Sequence, residues 1–300
     1  MCVIYNPAAG RGRALQRVES LRQVLGPQAD FQATQARGHA EELACRAASN
    51  GFAVVGAAGG DGTVHEVANG ILRSGRSDIT LAVYPVGSAN DYAHSLGLGR
   101  QWWLDKAAPQ AMREVDVGLV QCPNGRERYF INGIGIGFNG SVTLESDSIR
   151  RFQGVFLYTL ALLRAVCFRY TFPLVTATFD GCVRQVPTLA LSVAIGRREG
   201  NFVLAPEAVI DDGLFNYLHV GRIPRWELIR YVPGMITGNL PTNHPALWTG
   251  LCKEVAVHSD DPLPVHLDGE MFSRPADDVR DLNIRILPGR LRVQKSVQIR

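Results

Sequence analysis

Lysine is nearly absent from this chain: Lys106, Lys253 and Lys295 stand against an otherwise arginine-only set of basic residues. None of the three lies in a glycine-rich stretch, and G-x-x-x-x-G-K-[ST] does not occur, which excludes a P-loop enzyme. V-A-I-K and H-R-D are missing as well, which excludes a protein kinase. The six cysteines (Cys2, Cys45, Cys122, Cys167, Cys182, Cys252) are scattered without a C-x-x-C pair, fitting neither a zinc site nor a small disulfide framework. Long apolar runs are lacking. The longest, Val155 to Val166, is broken by Arg164 and falls short of the roughly 20 residues that span a bilayer. The opening Met-Cys-Val-Ile-Tyr-Asn-Pro has neither a charged leader nor an apolar h-region, so the expected location is the cytoplasm. Net charge is small, +3, which argues against nucleic acid but permits weak attraction to an anionic membrane.

What is present is the composition of a packed protein, 46% hydrophobic and 20% charged over 300 residues, enough for one large or two ordinary domains. Strand and helix signals alternate at first. Val3-Ile4-Tyr5, Phe31 to Thr34, Phe52 to Val55 and Ile79 to Tyr84 read as strands. Helical periodicity lies between them (Ala14, Val18, Leu21, Leu25; then Ala40, Leu43, Ala44, Ala47; then Val64 to Leu72), with a further helix expected from about Ser88. That order predicts an α/β domain with a parallel sheet. After Asp116 the pattern changes to strands bounded by turns (117–120, 128–131, 174–179, 190–195, 214–220, 254–257, 264–267), interrupted by one apolar helix near 154–167. The expectation is an α/β domain over 1–116 and a β-rich, sandwich-like domain over 117–290, with 291–300 free to close the second or return to the first.

Gly59-Gly60-Asp61-Gly62-Thr63 follows a strand and opens a helix. Glycines there permit a sharp turn and close approach, and the helix N-terminus offers unpaired N–H groups suited to phosphate. Loops Asn6 to Gly10, Thr34 to Gly38 and Pro85 to Asp91 follow the other strands, and parallel strands deliver all such loops to one edge. Gly135 to Gly140 is literally G-x-G-x-x-G, but it falls beyond the predicted domain boundary and not in an opening βαβ unit, which argues against a dinucleotide fingerprint.

These residues resemble the diacylglycerol kinase catalytic-domain family, which includes bacterial lipid kinases and the sphingosine and ceramide kinases. NPAAGRG resembles its N-P-x-x-G loop. Gly59 to Gly70, GGDGTVHEVANG, resembles G-G-D-G-T-x-x-E-x-x-N-G, and Pro85 to Leu98, PVGSANDYAHSLGL, resembles P-x-G-T-x-N-D-F-A-x-x-L-G. Asp116-Val117-Gly118, Asp211-Asp212-Gly213-Leu214 and Leu267-Asp268-Gly269-Glu270 continue the match, the last resembling D-G-E. Ser88 replaces the usual threonine but keeps the hydroxyl. His65 stands where many bacterial members have asparagine and sphingosine kinases have histidine, and Asn139-Gly140 stands where G-F-D-A is common.

The resemblance implies a Rossmann-like, phosphofructokinase-like first domain and transfer of the ATP γ-phosphoryl group to a lipid hydroxyl, diacylglycerol or a related alcohol. It places the nucleotide on Asn6, Thr34, Gly59, Gly60, Asp61, Gly62, Thr63, Val64, His65, Gly87, Ser88, Asn90 and Asp91. The proton acceptor is Glu270 or Asp268, with Glu270 favoured. Val209, Asp212 and Leu214 match a Mg²⁺ site of bacterial relatives, and Asp61 and Asp91, beside the phosphates, need Mg²⁺ or loop N–H groups to offset their charge. An apolar lipid cleft is expected near the helix Val155 to Val166 with Phe138, Phe152, Phe168 and Phe172. Peripheral, transient membrane contact follows, and a homodimer is compatible. The alternatives are a soluble-substrate kinase of the NAD kinase or phosphofructokinase type, and a silent nucleotide- or lipid-binding regulator.

Overall fold

The computed structural model describes residues 1–12, 14–99, 101–104, 110–149, 155–241 and 243–296. The chain divides into two compact units, Met1–Asp116 with Gly289–Arg300, and Val117–Pro288.

The first unit alternates β1 (Cys2–Tyr5), α1 (Ala14–Leu25), β2 (Asp30–Ala33), α2 (His39–Ser49), β3 (Val54–Gly59), α3 (Asp61–Arg73), β4 (Thr80–Pro85) and the short α4 (Asp91–Ser95). The sheet is parallel: β1 lies between β2 and β3, and β4 extends it beyond β3. Tyr5 registers with both Ala33 and Ala58, and Gly59 with Pro85, so all four strands end at one edge. Strands β3 and β4 are almost wholly buried, as expected of parallel strands covered on both faces. Helix α3 buries most of its circumference, and Gly70 lets α2 approach, since a Cβ there would stand 2.4 Å from the Glu41 carbonyl oxygen. The third strand begins later than expected because the Phe52 N–H bonds to the Ala47 carbonyl, finishing α2. The helix expected from Ser88 starts at Asp91.

In the second unit the chain runs through β5 (Gln110–Gln121, which begins in the first unit), β6 (Glu127–Phe130), β7 (Gly133–Gly137), α5 (Phe138–Ser148), α6 (Val155–Phe168), β8 (Leu174–Phe179) and β9 (Cys182–Ala194). There follow β10 (Arg198–Glu199), β11 (Phe202–Val203), β12 (Phe215–Gly221), α7 (Arg225–Thr237), β13 (Leu247–Cys252), β14 (Glu254–Ser259), β15 (Val265–Leu267), β16 (Glu270–Ser273) and β17 (Asp281–Ser296). The long strand β9 serves two sheets. Its first half pairs with β8, which pairs with β14, which in turn pairs with the first half of β17. Its second half lies between β7 and β12, with β15 and β16 continuing beyond β7 and β13 beyond β12. The burial of β9 follows that split, part-exposed in the first half and continuously buried in the second. The second half of β17 belongs to the first unit, where Arg292 and Val293 pair in parallel with Thr80 and Leu81. The terminal segment therefore returns to the first sheet. At the crossing, the Gly289 N–H donates to the buried Asp116 carboxylate (2.9 Å).

Gly135 to Gly140, literally a dinucleotide fingerprint, is strand β7 and the opening of α5. Its glycines answer to packing: a Cβ on Gly135 would lie 2.2 Å from His266 Nε2, and one on Gly140 would lie 2.3 Å from the Pro264 carbonyl oxygen.

Candidate active site

In the first unit the loops at the carboxyl edge of the sheet are bound to one another. The Val86 and Gly87 N–H groups both donate to the Gly59 carbonyl (3.1 Å each). Asp61, the first residue of α3, accepts the Asn90 N–H through Oδ2 (2.8 Å) and the Tyr92 N–H through Oδ1 (3.2 Å). Its carboxylate therefore ties the GGDGT turn to the Asn90-Asp91 turn, and these N–H groups offset its charge. Asn90 holds a left-handed backbone (φ 56°), accepts the Gly87 N–H (3.1 Å) and donates to the Gly87 carbonyl (3.0 Å). The approach is close enough to demand glycine: a Cβ on Gly87 would stand 2.3 Å from the Gly60 Cα. Gly10, at φ +58°, faces the Val86 carbonyl in the same way at 2.5 Å.

Asn6 shapes its own turn by accepting the Ala8 N–H (2.9 Å), and the Thr34 N–H bonds to Tyr5 at the end of β1 (2.9 Å). Ser88 is exposed, Thr34 half-buried and Asp91 buried. Val64 and His65 are buried in α3, the His65 ring lying by Asn69 Nδ2 (3.4 Å), so these two lie within the helix packing. The first turn of α3, through Gly62 and Thr63, opens from an extended Gly60 and offers backbone N–H groups to an anion. Glu66, in the same motif, was not singled out from the sequence. It accepts the Gly38 (2.8 Å) and Ala40 (3.1 Å) N–H groups and so caps α2. The signal was available, because a glutamate at a fixed place in a phosphate-loop motif has a structural task as readily as a chemical one.

The D-G-E segment belongs to the second unit. Asp268 is left-handed (φ 52°) and its carboxylate accepts three backbone N–H groups, from Asn132 (2.8 Å), Gly133 (2.9 Å) and Ile131 (3.0 Å). Its own N–H bonds to the Gly133 carbonyl (2.8 Å). Glu270 opens β16 and is half-buried.

Beside this segment lies a cavity of about 940 Å³ including its open mouth. Phe138, Val142, Leu162, Phe202, Leu228 and Met235 supply apolar walls, and Asn139, Ser192, Glu199 and His266 a polar end. Asn139 Nδ2 donates to Ser192 Oγ (2.6 Å), and Ser192 lies 3.5 Å from Glu199 Oε2. His266 Nε2 faces Glu199 Oε1 (2.9 Å), while the Gly269 N–H donates to His266 Nδ1 (3.3 Å). A backbone donor at Nδ1 places the ring proton on Nε2, aimed at the carboxylate. The cluster thus runs from the cavity into the D-G-E turn. Of the cleft residues expected from sequence, Phe138 lines the cavity, and Phe172 packs against its surrounding core. Phe168 instead points outward, 76% exposed, and Phe152 lies outside the described residues. In the 209–214 turn the Asp212 carboxylate accepts the Leu214 N–H (3.0 Å).

One unit carries glycine turns at the edge of a parallel sheet and the other an apolar cavity, and this is the setting in which the comparisons with known proteins fall. Residues 1–120 match the model of the diacylglycerol kinase catalytic domain, and residues 132–295 that of the YegS C-terminal NAD kinase beta sandwich-like domain. The chain is 31% identical over 282 residues to a protein named diacylglycerol kinase from Bacillus subtilis, covering 89% of this chain and 88% of the relative. The chain belongs to the diacylglycerol kinase family. It is 30% identical over 306 residues to a Pseudomonas aeruginosa protein named "Probable lipid kinase YegS-like", covering 98% and 93%. A solved structure of a diacylglycerol kinase from Bacillus anthracis has the same fold, with a TM-score of 0.68 at 22% identity over 97% of this chain and 95% of that one. By family the protein is an ATP-dependent lipid kinase.

Proposed function

We propose that this kinase transfers the ATP γ-phosphoryl group to the hydroxyl of diacylglycerol or a closely related lipid alcohol, whose acyl chains occupy the cavity of the second unit. The observation that carries this reading is the cavity itself: apolar walls closed by a polar end that is hydrogen-bonded into the D-G-E turn. A dinucleotide or sugar phosphate would leave such walls unfilled and its own polar groups unpaired, which disfavours the soluble-substrate alternative. The motif acids Asp61, Asp268 and Glu270 are all present, which disfavours a silent regulator.

In this reading the triphosphate sits on the N–H groups from Gly59 to Thr63, flanked by Asn6, Thr34, Gly87 and Ser88, with Asn90 and Asp91 completing the loop. Val64 and His65 contribute by holding α3. Glu270 accepts the hydroxyl proton. Asp268, with three N–H groups on its carboxylate, holds the turn from which Glu270 projects. Asp212 with the carbonyls of Val209 and Leu214 forms an all-oxygen donor set, the chemistry Mg²⁺ prefers. A Mg²⁺ ion bound with ATP would neutralise phosphate charge. A lipid acceptor makes the protein a peripheral visitor to the membrane, and none of the described helices is long and apolar enough to cross one.

The cavity assignment is tested by Ala190→Phe, which fills the space from β9. Excluding about four methylenes at about 0.8 kcal/mol each should lower kcat/KM for the lipid on the order of a hundredfold, with ATP binding retained. Unchanged lipid turnover would remove the acceptor from this cavity.

A further inference from the structure

Helix α7 has two apolar faces, and the cavity explains one of them. Leu228, Tyr231 and Met235 line the cavity wall. Trp226, Ile229, Pro233 and Ile236 recur at helical spacing on the other side and face solvent, Trp226 at 63%, Ile229 at 47% and Ile236 at 43% exposure. A helix that merely roofed a cavity would carry polar residues there. Phe168, at the end of α6, is exposed as well. The two helices are joined at this point because Arg225 Nε donates to the Val166 carbonyl (2.9 Å).

The exposed charges of α7 and of the turn before it are all positive. Arg222, Arg225 and Arg230 are all exposed. The only acid of α7, Glu227, accepts the Tyr231 hydroxyl (2.6 Å) and pairs with His244 Nε2 (2.9 Å), so its carboxylate is engaged against the protein.

We propose that this face of α7, with Phe168, docks on the surface of an anionic lipid bilayer. The proposal rests on the lipid-acceptor reading and deepens it, since the docking face and the cavity wall are two sides of one helix. An exposed tryptophan within an apolar stripe bordered by arginines is the chemistry of an interfacial helix. A second copy of this chain is a poorer occupant. A two-fold contact would set the same arginines against each other, whereas anionic headgroups neutralise them.

The test is cosedimentation of the full chain with vesicles of phosphatidylcholine and phosphatidylglycerol in equal parts, against phosphatidylcholine alone. The wild type should sediment with the mixed vesicles, and the double variant Trp226→Ser with Ile229→Ser should bind at least about tenfold less. Arg222→Gln with Arg230→Gln should bring binding down to the level on phosphatidylcholine alone. Trp102 and Trp103 are buried and Trp248 is half-buried, so Trp226 is the exposed tryptophan; the emission should move to the blue on vesicle addition, and Trp226→Phe should lose most of that shift. The double serine variant should phosphorylate a monomeric short-chain diacylglycerol at the wild-type rate. If the wild type shows no such turnover, the diacylglycerol-acceptor reading falls while vesicle binding still decides the docking face. Equal sedimentation of the double variant and wild type would overturn the proposal. So would a dimer in sedimentation velocity that the double variant splits.

Discussion

Replacing Asp268 by Asn and Glu270 by Gln should separate two roles that the D-G-E segment combines. Asparagine tolerates the left-handed backbone at 268 as aspartate does, so Asp268→Asn isolates the charge. The native carboxylate accepts the N–H groups of Asn132 and Gly133 on one oxygen and of Ile131 on the other. In the variant one oxygen becomes an NH₂ group facing a donor, and the remaining bonds lose their charge assistance. Hydrogen bonds to a charged group contribute about 1.5–3 kcal/mol and neutral ones about 1 kcal/mol, so the variant should lose about 3 kcal/mol or more. At about 2–4 °C per kcal/mol for a chain of this size, that is a fall in melting temperature of about 6 °C or more. Glu270→Gln keeps shape at a half-buried position and should melt within about 2 °C of the wild type, while turnover falls by about 10²–10⁴ for want of a base. Thermal melting and steady-state phosphorylation on the same preparations provide the assay. An Asp268→Asn protein as stable as the wild type, or a Glu270→Gln protein that turns over normally, would refute the division of roles.

Other expected outcomes follow from the same geometry. Gly87→Ala forces a Cβ to within 2.3 Å of the Gly60 Cα, so the Pro85–Asp91 and Gly59–Thr63 loops must part. The KM for ATP should rise at least about tenfold and stability should fall by about 1–3 kcal/mol, read by kinetics and melting; an unchanged KM would separate these loops from the nucleotide. Burial holds the His219 pKa down to about 4. Its ring is neutral, with Nε2 on Thr188 Oγ1 (2.8 Å). A folded pKa below the ordinary value of about 6.5 contributes stability above pH 6.5 that is lost as the pH falls toward 4. Relative to His219→Gln, the wild type should therefore lose about 3 kcal/mol over that interval, and parallel stability curves would contradict this. Mg²⁺ at about a hundredfold excess over its dissociation constant should stabilise the protein by about 2.7 kcal/mol, and Asp212→Ala should abolish that shift if 209–214 holds the ion.

The gathering of the loops that carry Asn6, Thr34, Gly59 and Ser88 is legible in the sequence because a parallel sheet sends every strand end to one edge. Less legible is what the motif acids do inside the fold. Asp61 and Glu66 look like chemistry in a motif, yet both are seen bonding backbone N–H groups that fix neighbouring turns. Among the elements that escape the pattern reading, β7, α7 and β13 do so for separate reasons. Strand β7 is glycine-rich because His266 and Asn139 take up the space of side chains, so it resembles a loop. Helix α7 contains Pro233 and Gly234 and has apolar residues on two faces, which blurs its period. Strand β13 carries Gly250, where the Tyr217 ring would meet a Cβ at 2.8 Å. The polar end of the cavity was out of reach for a different reason. Asn139 stands on α5, Ser192 on β9, Glu199 on β10 and His266 on β15, and it is β7, paired with both β9 and β15 and leading straight into α5, that brings three of those elements together.

The most direct test of the account is transfer of radiolabelled γ-phosphate from ATP, with Mg²⁺, to diacylglycerol, sphingosine or ceramide in separate detergent micelles, with NAD and fructose 6-phosphate as aqueous controls. The account expects label in the organic extract of the diacylglycerol tube, and its loss in Glu270→Gln. Label confined to an aqueous control, or none in any lipid tube, would contradict the assignment of a lipid alcohol as the acceptor.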